Sequence, residues 1–286
     1  MTWRERDHPR DAQGQFREKT TGWVGRLSDR IGIPSAKDLL QRDQDQDSVG
    51  FPDLGREFEG AYGREGTMLV SEVGVMRLGG GSNPNPFAPL GHLNISGRID
   101  TADEPSEDGY FRVTASQIKK VDENDPLVWS AHIDRMHVRG GAQGTGGGRE
   151  LTARFIDWFR RSGFEEVTVG PSEVGSYAWG AMGFDFEDHE SRRIAWAGAM
   201  EMDVKRVRDW FNYEGRSYGQ DGSDLSDAQI KKMIRQYQRA ATVALAGGMS
   251  YQKLSQYGRR GQPSSGMWAG KLGLLVGGVG GGRIKL

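Results

Sequence analysis

Leu127–Val138 (LVWSAHIDRMHV), Arg139–Gly148 (RGGAQGTGGG) and Arg149–Phe164 (RELTARFIDWFRRSGF) follow one another directly, and the order of their patterns decides the fold. In the first, Leu127, Trp129, Ala131 and Ile133 alternate with Ser130, His132, Asp134 and Met136. That is the two-residue period of a strand with one buried face. In the third, Leu151, Phe155, Trp158 and Phe159 recur at three- and four-residue spacing, so this segment reads as a helix laid on a sheet. Gly163 stands where that helix should stop. Val167 and Val169 supply a further strand, and Ser172 or Ser176 starts a short helix carrying Tyr177–Phe184 (YAWGAMGF). The order is strand, glycine loop, helix, strand, helix, the pattern of an α/β protein.

A glycine-rich turn between a strand and a helix leaves backbone N–H groups unpaired at the helix start, where the helix dipole favours an anion. Gln143, Gly146 and Gly148 fit the pattern Q/R-x-x-G-x-G/A. With the flanking strand and helix they resemble the acyl-CoA-binding motif of the GNAT superfamily of N-acetyltransferases. Tyr177–Phe184 resembles that family's last helix, which ends in a Gly-Phe pair, here Gly183-Phe184. The resemblance covers about sixty residues closely and 57–190 loosely. It implies a GNAT-like mixed central sheet with flanking helices.

Of 286 residues only 36% are hydrophobic, and the mean hydropathy is −0.65, so some segments are expected outside a packed core. A net charge of −1 gives no global signal for nucleic acid or an anionic membrane, and neither is expected as a partner. The lack of cysteine excludes disulfides, thiolate catalysis and Cys-ligated zinc, and no metal site is expected. The opening MTWRERDHPR is charged where a secretory leader needs an apolar run. These features point to the cytoplasm, or to a virion if the resemblance of His8–Phe16 (HPRDAQGQF) to leaders of some phage-derived proteins is functional.

Residues 1–56 show little apolar period and read as a disordered arm, one that an assembly partner could hold. Met68–Met76, Leu90–Ile99 and Tyr110–Val121 read as strands. The GNAT fold usually places two helices between its first two strands, whereas Gly79–Leu90 reads here as a loop. Over 191–250, Met200, Val204, Val207 and Phe211, then Ile230, Ile234, Tyr237 and Ala241, predict a helical hairpin. Lys231, Arg235 and Arg239 form a basic stripe on its second helix, read as a solvated face. The glycine-rich end, 251–286, reads as a flexible tail.

The resemblance implies direct transfer of an acetyl group from acetyl-CoA, as cosubstrate, to an amine of a small molecule or protein. Gln143, Gly144, Thr145, Gly146, Gly147 and Gly148 would hold the pyrophosphate, and Met136–Val138 the pantetheine arm. An imidazole can accept a proton near neutral pH, so His132, with Asp134 on the same strand face, is the candidate base. Many GNAT enzymes carry a tyrosine acid four residues before the glycine of the closing pair. That position is Trp179, which cannot donate a useful proton to a thiolate, so Tyr177 is the substitute. The alternative is a non-enzymatic GNAT-like structural or interaction protein, for example one associated with a phage particle.

Overall fold

The computed structural model describes residues 35–41, 48–56, 58–63, 66, 68–79, 88, 90–101, 109–118, 126–138, 145–170, 175–216, 222, 224–260 and 266–286. They fall in two compact units, one within Pro34–Gly170 joined by Arg283–Leu286, the other within Pro171–Gly282. The chain is of mixed α/β class.

In the first unit, α1 (Ala36–Gln41), β1 (Ser48–Gly50), α2 (Pro52–Gly55) and β2 (Gly60–Tyr62) precede the long strands β3 (Met68–Leu78), β4 (His92–Thr101), β5 (Tyr110–Ile118) and β6 (Val128–His137). Helix α3 (Gly147–Arg161) and strand β7 (Glu166–Val169) follow. Neighbours from β3 to β6 pair antiparallel. Strand β7 pairs parallel to β6, which requires a crossover, and α3 supplies it. Along β3, β1 takes one end of the edge and β2 the other, leaving little of it open to pair with another chain. Beyond β7 the order continues with the C-terminal strand Gly282–Lys285.

One face of the sheet carries the core. Leu93 and Ile95 of β4, Phe111, Val113 and Ala115 of β5, and Leu151, Phe155 and Phe159 of α3 are all fully buried. Phe155 meets Phe111 at 5.3 Å and Phe58 at 4.8 Å between ring centroids. The predicted apolar stripe of the helix is therefore the stripe that packs. Gly163, at φ 74°, follows the helix end as expected.

The N-terminal arm is corrected in part: residues 1–34 and 42–47 lie outside the described residues, but α1 is folded. Ser35 and Asp38 cap it reciprocally, Asp38 N–H donating to Ser35 Oγ at 3.1 Å and Ser35 N–H to Asp38 Oδ2 at 3.2 Å. Leu39 and Leu40 are fully buried, and Ala36 N–H donates to Ser162 Oγ at 2.9 Å. Six residues are too few to show a helical period, so apolar spacing did not reveal the helix. Leu39→Ala is expected to lower unfolding free energy by about 2–5 kcal/mol in a urea titration, the usual cost of an emptied leucine site. An unchanged midpoint would return this segment to the arm.

The second unit is mainly helical. It contains α4 (Gly175–Met182), the two-residue strand β8 (Asp185–Phe186), α5 (His189–Met200) and α6 (Val204–Trp210), which runs into a π turn over Phe211–Gly215. Then come α7 (Asp227–Leu245), α8 (Tyr251–Ser255) and α9 (Ala269–Gly277). Side chains start the helices as their sequences suggest: Asp188 Oδ1 accepts from Ser191 N–H at 2.7 Å, Asp203 Oδ1 from Arg206 N–H at 2.7 Å, and Ser226 forms a capping box with Gln229. The expected hairpin is thus α5, α6 and α7, with a break at Glu201–Asp203.

The flexible tail is a misreading. Every residue from Ala269 to Val276 is buried, and Gly282–Lys285 is a strand. The glycines of α9 let neighbouring elements approach its backbone, a use that composition alone cannot distinguish from flexibility. Among the described residues no helix is long and apolar enough to cross a membrane.

Candidate functional site

Helix α3 is preceded at its N-cap by Gly146, whose φ of 95° is open to glycine and strained for any side chain. A Cβ built there would meet none of the described residues within 4 Å, so among them nothing crowds the backbone at the helix start. Gly146 C=O accepts the first helical bond, from Glu150 N–H at 3.0 Å, and the amides before Glu150 point out of the helix end. The next two glycines differ in role. At Gly148 a Cβ would rest 3.4 Å from Met136 Sδ, an ordinary contact, whereas at Gly147 it would strike Met68 Cβ at 2.8 Å. Alanine therefore fits at 148, as the pattern G/A allows, while Gly147 is required by the packing of α3 on β3. Gln143 and Gly144 lie outside the described residues.

A second wall comes from the turn after β2. Gly63 lies so close that a Cβ on it would stand 2.7 Å from Thr145 Oγ1 and 3.0 Å from Gly147 N. Glu150, in the first turn of α3, accepts from Gly63 N–H at 2.8 Å, which turns its carboxylate toward the β2 turn. Tyr62 is anchored by donating to Phe58 C=O at 2.6 Å and receives Arg154 Nη1 at 2.8 Å. Burial pushes the Tyr62 phenol upward in pKa, with Arg154 opposing. No spacing signal marked Tyr62, Gly63 or Glu150, since their roles arise from contacts across 87 and 92 positions of chain.

Strand β6 departs from plain alternation. Arg112 pairs with Arg135 and Val113 with Ile133, so Asp134 is the extra residue of a β-bulge. The expected common face of Ser130, His132, Asp134 and Met136 is corrected accordingly. His132 pairs with Thr114 and Thr168, but beyond the bulge Met136 pairs with buried Phe111 and faces α3, its Sδ 3.8 Å from Thr152 Oγ1. Pairing with β7 ends at Ile133 and Val169, while β6 runs on to His137 and Val138 follows it. The strand therefore outlasts its parallel neighbour beside the start of α3.

His132 and Asp134 take different partners. The His132 ring Nδ1 lies 2.8 Å from Thr168 Oγ1, and Thr168 Oγ1 is 3.4 Å from Ala131 C=O. With the threonine hydrogen given to that carbonyl, Nδ1–H donates to Thr168 and Nε2 keeps its lone pair, directed toward Gly170, where a Cβ would sit 3.8 Å away. Asp134 instead accepts from Thr114 Oγ1 at 2.6 Å and stands 3.9 Å from Arg112 Nε. Thr168 is thus the residue that holds the imidazole. Its signal was its place in the Val-Thr-Val strand, readable only once the parallel register was known.

Tyr177 lies in the helical unit, packed edge-on against Trp268 at 5.7 Å with Lys271 Nζ 5.8 Å from its ring centroid. Burial raises its pKa, opposed by Arg259 and Gln256. Trp179 is buried against Phe184, ring centroids 5.4 Å apart. Comparison with protein-family models, with curated proteins and with solved structures finds no match.

Proposed function

We propose that this chain is a GNAT-type N-acyltransferase that binds acetyl-CoA at the start of α3 and passes the acetyl group to an amine of a small molecule or protein. The observation that carries the reading is Gly146, left-handed and uncrowded by the described residues at the start of a helix that follows, in sequence, a strand outlasting its parallel neighbour. A pyrophosphate needs backbone N–H groups, a favourable dipole and close approach, and this helix start offers all three. The run of β6 beyond Ile133, which no longer pairs with β7, suits an extended pantetheine arm lying alongside it. Acetyl-CoA, when bound, supplies an activated thioester. The work left to the protein is to hold the amine against it and take up the amine proton, for which His132 Nε2 is the candidate base, positioned by Thr168.

A second reading, a GNAT-like binding or assembly module without catalysis, is favoured by Trp179. It fills the expected acid position and cannot protonate a thiolate.

Isothermal titration of acetyl-CoA into the purified chain tests the first reading. Binding is expected, and Gly146→Glu should abolish it, since a glutamate there would oppose the pyrophosphate and strain a φ of 95°. No heat at millimolar ligand would defeat both the acyltransferase reading and ligand binding by the second.

A further inference from the structure

We propose that helix α7 is a docking surface for the phosphodiester backbone of a nucleic-acid duplex, contacted by Lys231, Lys232, Arg235 and Arg239. The overall charge gives no hint of this, and the argument rests on how these four cations are arranged. All four are exposed. At about 100° per residue they fall within an arc of about 100°, and Lys231 to Arg239 spans about 12 Å of helix. The opposite face carries Ile230, Met233, Ile234, Tyr237, Ala240 and Ala241, all buried, so the row sits on a firmly packed support.

The neighbouring helix shows how an ordinary surface in this unit is built. Each cation of α6 has a carboxylate: Lys205 with Asp209 at 2.5 Å, Arg206 with Glu201 at 3.0 Å and Arg208 with Asp227 at 2.9 Å. None of the four cations on α7 has a carboxylate partner among the described residues. Asp227, placed four residues before Lys231 where it could pair, is turned to Arg208 instead. Lys231, Arg235 and Arg239 then repel one another at four-residue spacing, which disfavours the helix. A partner of opposite charge would offset that cost.

The form of the row indicates which partner. A duplex carries one phosphate per about 3.4 Å of each strand, so about 12 Å faces three to four of them. A protein partner would want an apolar centre inside the patch. The one large exposed apolar side chain of α7 is Val243, past the end of the row.

The test is fluorescence anisotropy with a labelled duplex DNA of mixed sequence, in salt from about 50 to 200 mM. The wild-type chain is expected to bind, with affinity falling about a hundredfold across that range, the slope of about four phosphate contacts. The variant Lys231→Gln, Lys232→Gln, Arg235→Gln, Arg239→Gln should lose at least tenfold in affinity at the lower salt and most of the slope. Its melting temperature should be equal or higher, since repulsion is relieved at exposed positions. Failure of the wild-type chain to bind at low salt would overturn the proposal, as would variant binding equal to wild type. Tighter binding of a polyglutamate peptide than of DNA would overturn it in favour of an acidic protein partner. If the fourfold variant folds poorly, the single variants Arg235→Gln and Arg239→Gln decide the matter: each should lower the salt slope by about one, and a slope unchanged in both would overturn the proposal.

Discussion

Gly273→Ala is expected to destabilise the helical unit by about 3 kcal/mol or more, a fall of roughly 10 °C in melting temperature. In an open helix the same change would stabilise by about 1 kcal/mol, because alanine favours the helix and glycine does not. Here the sign is reversed by packing. A Cβ at 273 would stand 2.1 Å from Cγ of Tyr237 and within 2.3 Å of both adjacent ring carbons. Tyr237 is itself fully buried on α7, so its ring cannot move aside. Replacing it in the double variant Gly273→Ala, Tyr237→Leu should recover part of the loss, giving a coupling that a double-mutant cycle can read. A melting temperature at or above wild type for Gly273→Ala alone would mean that α9 does not pack in this way.

On the acyl-transfer reading, His132→Ala is expected to lower turnover by about 10² while leaving acetyl-CoA affinity unchanged, since it removes proton transfer and spares the start of α3. The partners of the imidazole order the companion variants. Thr168→Val removes the 2.8 Å contact at Nδ1 and should cost less than His132→Ala but more than Asp134→Asn, whose carboxylate serves Thr114 and Arg112. Steady-state rates with separate fits of kcat and KM check the order. If His132→Ala kept full activity while Tyr177→Phe lost it, the base would lie elsewhere. Binding of acetyl-CoA without turnover on any amine would leave the binding-module reading, with Trp179 as its cause.

What could be read from sequence was what depends on near neighbours along the chain. Leu151, Phe155, Trp158 and Phe159 declared α3, and Val167 and Val169 declared β7, because periodicity is a local property. The bulge at Asp134 was hidden, since it exists only in relation to Arg112 and Val113 on the next strand. Without it, Met136 appeared on the wrong face. The tail was hidden differently. Glycine in 251–286 looks alike whether it loosens a chain or admits a tyrosine ring against the backbone, and the difference lies in what stands opposite. At the candidate site the glycine pattern was legible, whereas Thr168, Gly63 and Glu150 required the register of β7 and the path of the β2 turn.

The sheet unit takes its final strand from Gly282–Lys285, after the long intervening stretch that holds the mainly helical unit, and Leu286 N–H donates to Glu165 C=O at 2.9 Å. On a ribosome, β7 would emerge with its outer edge bare and remain so until the helical stretch had been made. During that interval the nascent sheet offers an unfilled edge to any neighbouring strand. The order of synthesis thus makes completion of the sheet the late step.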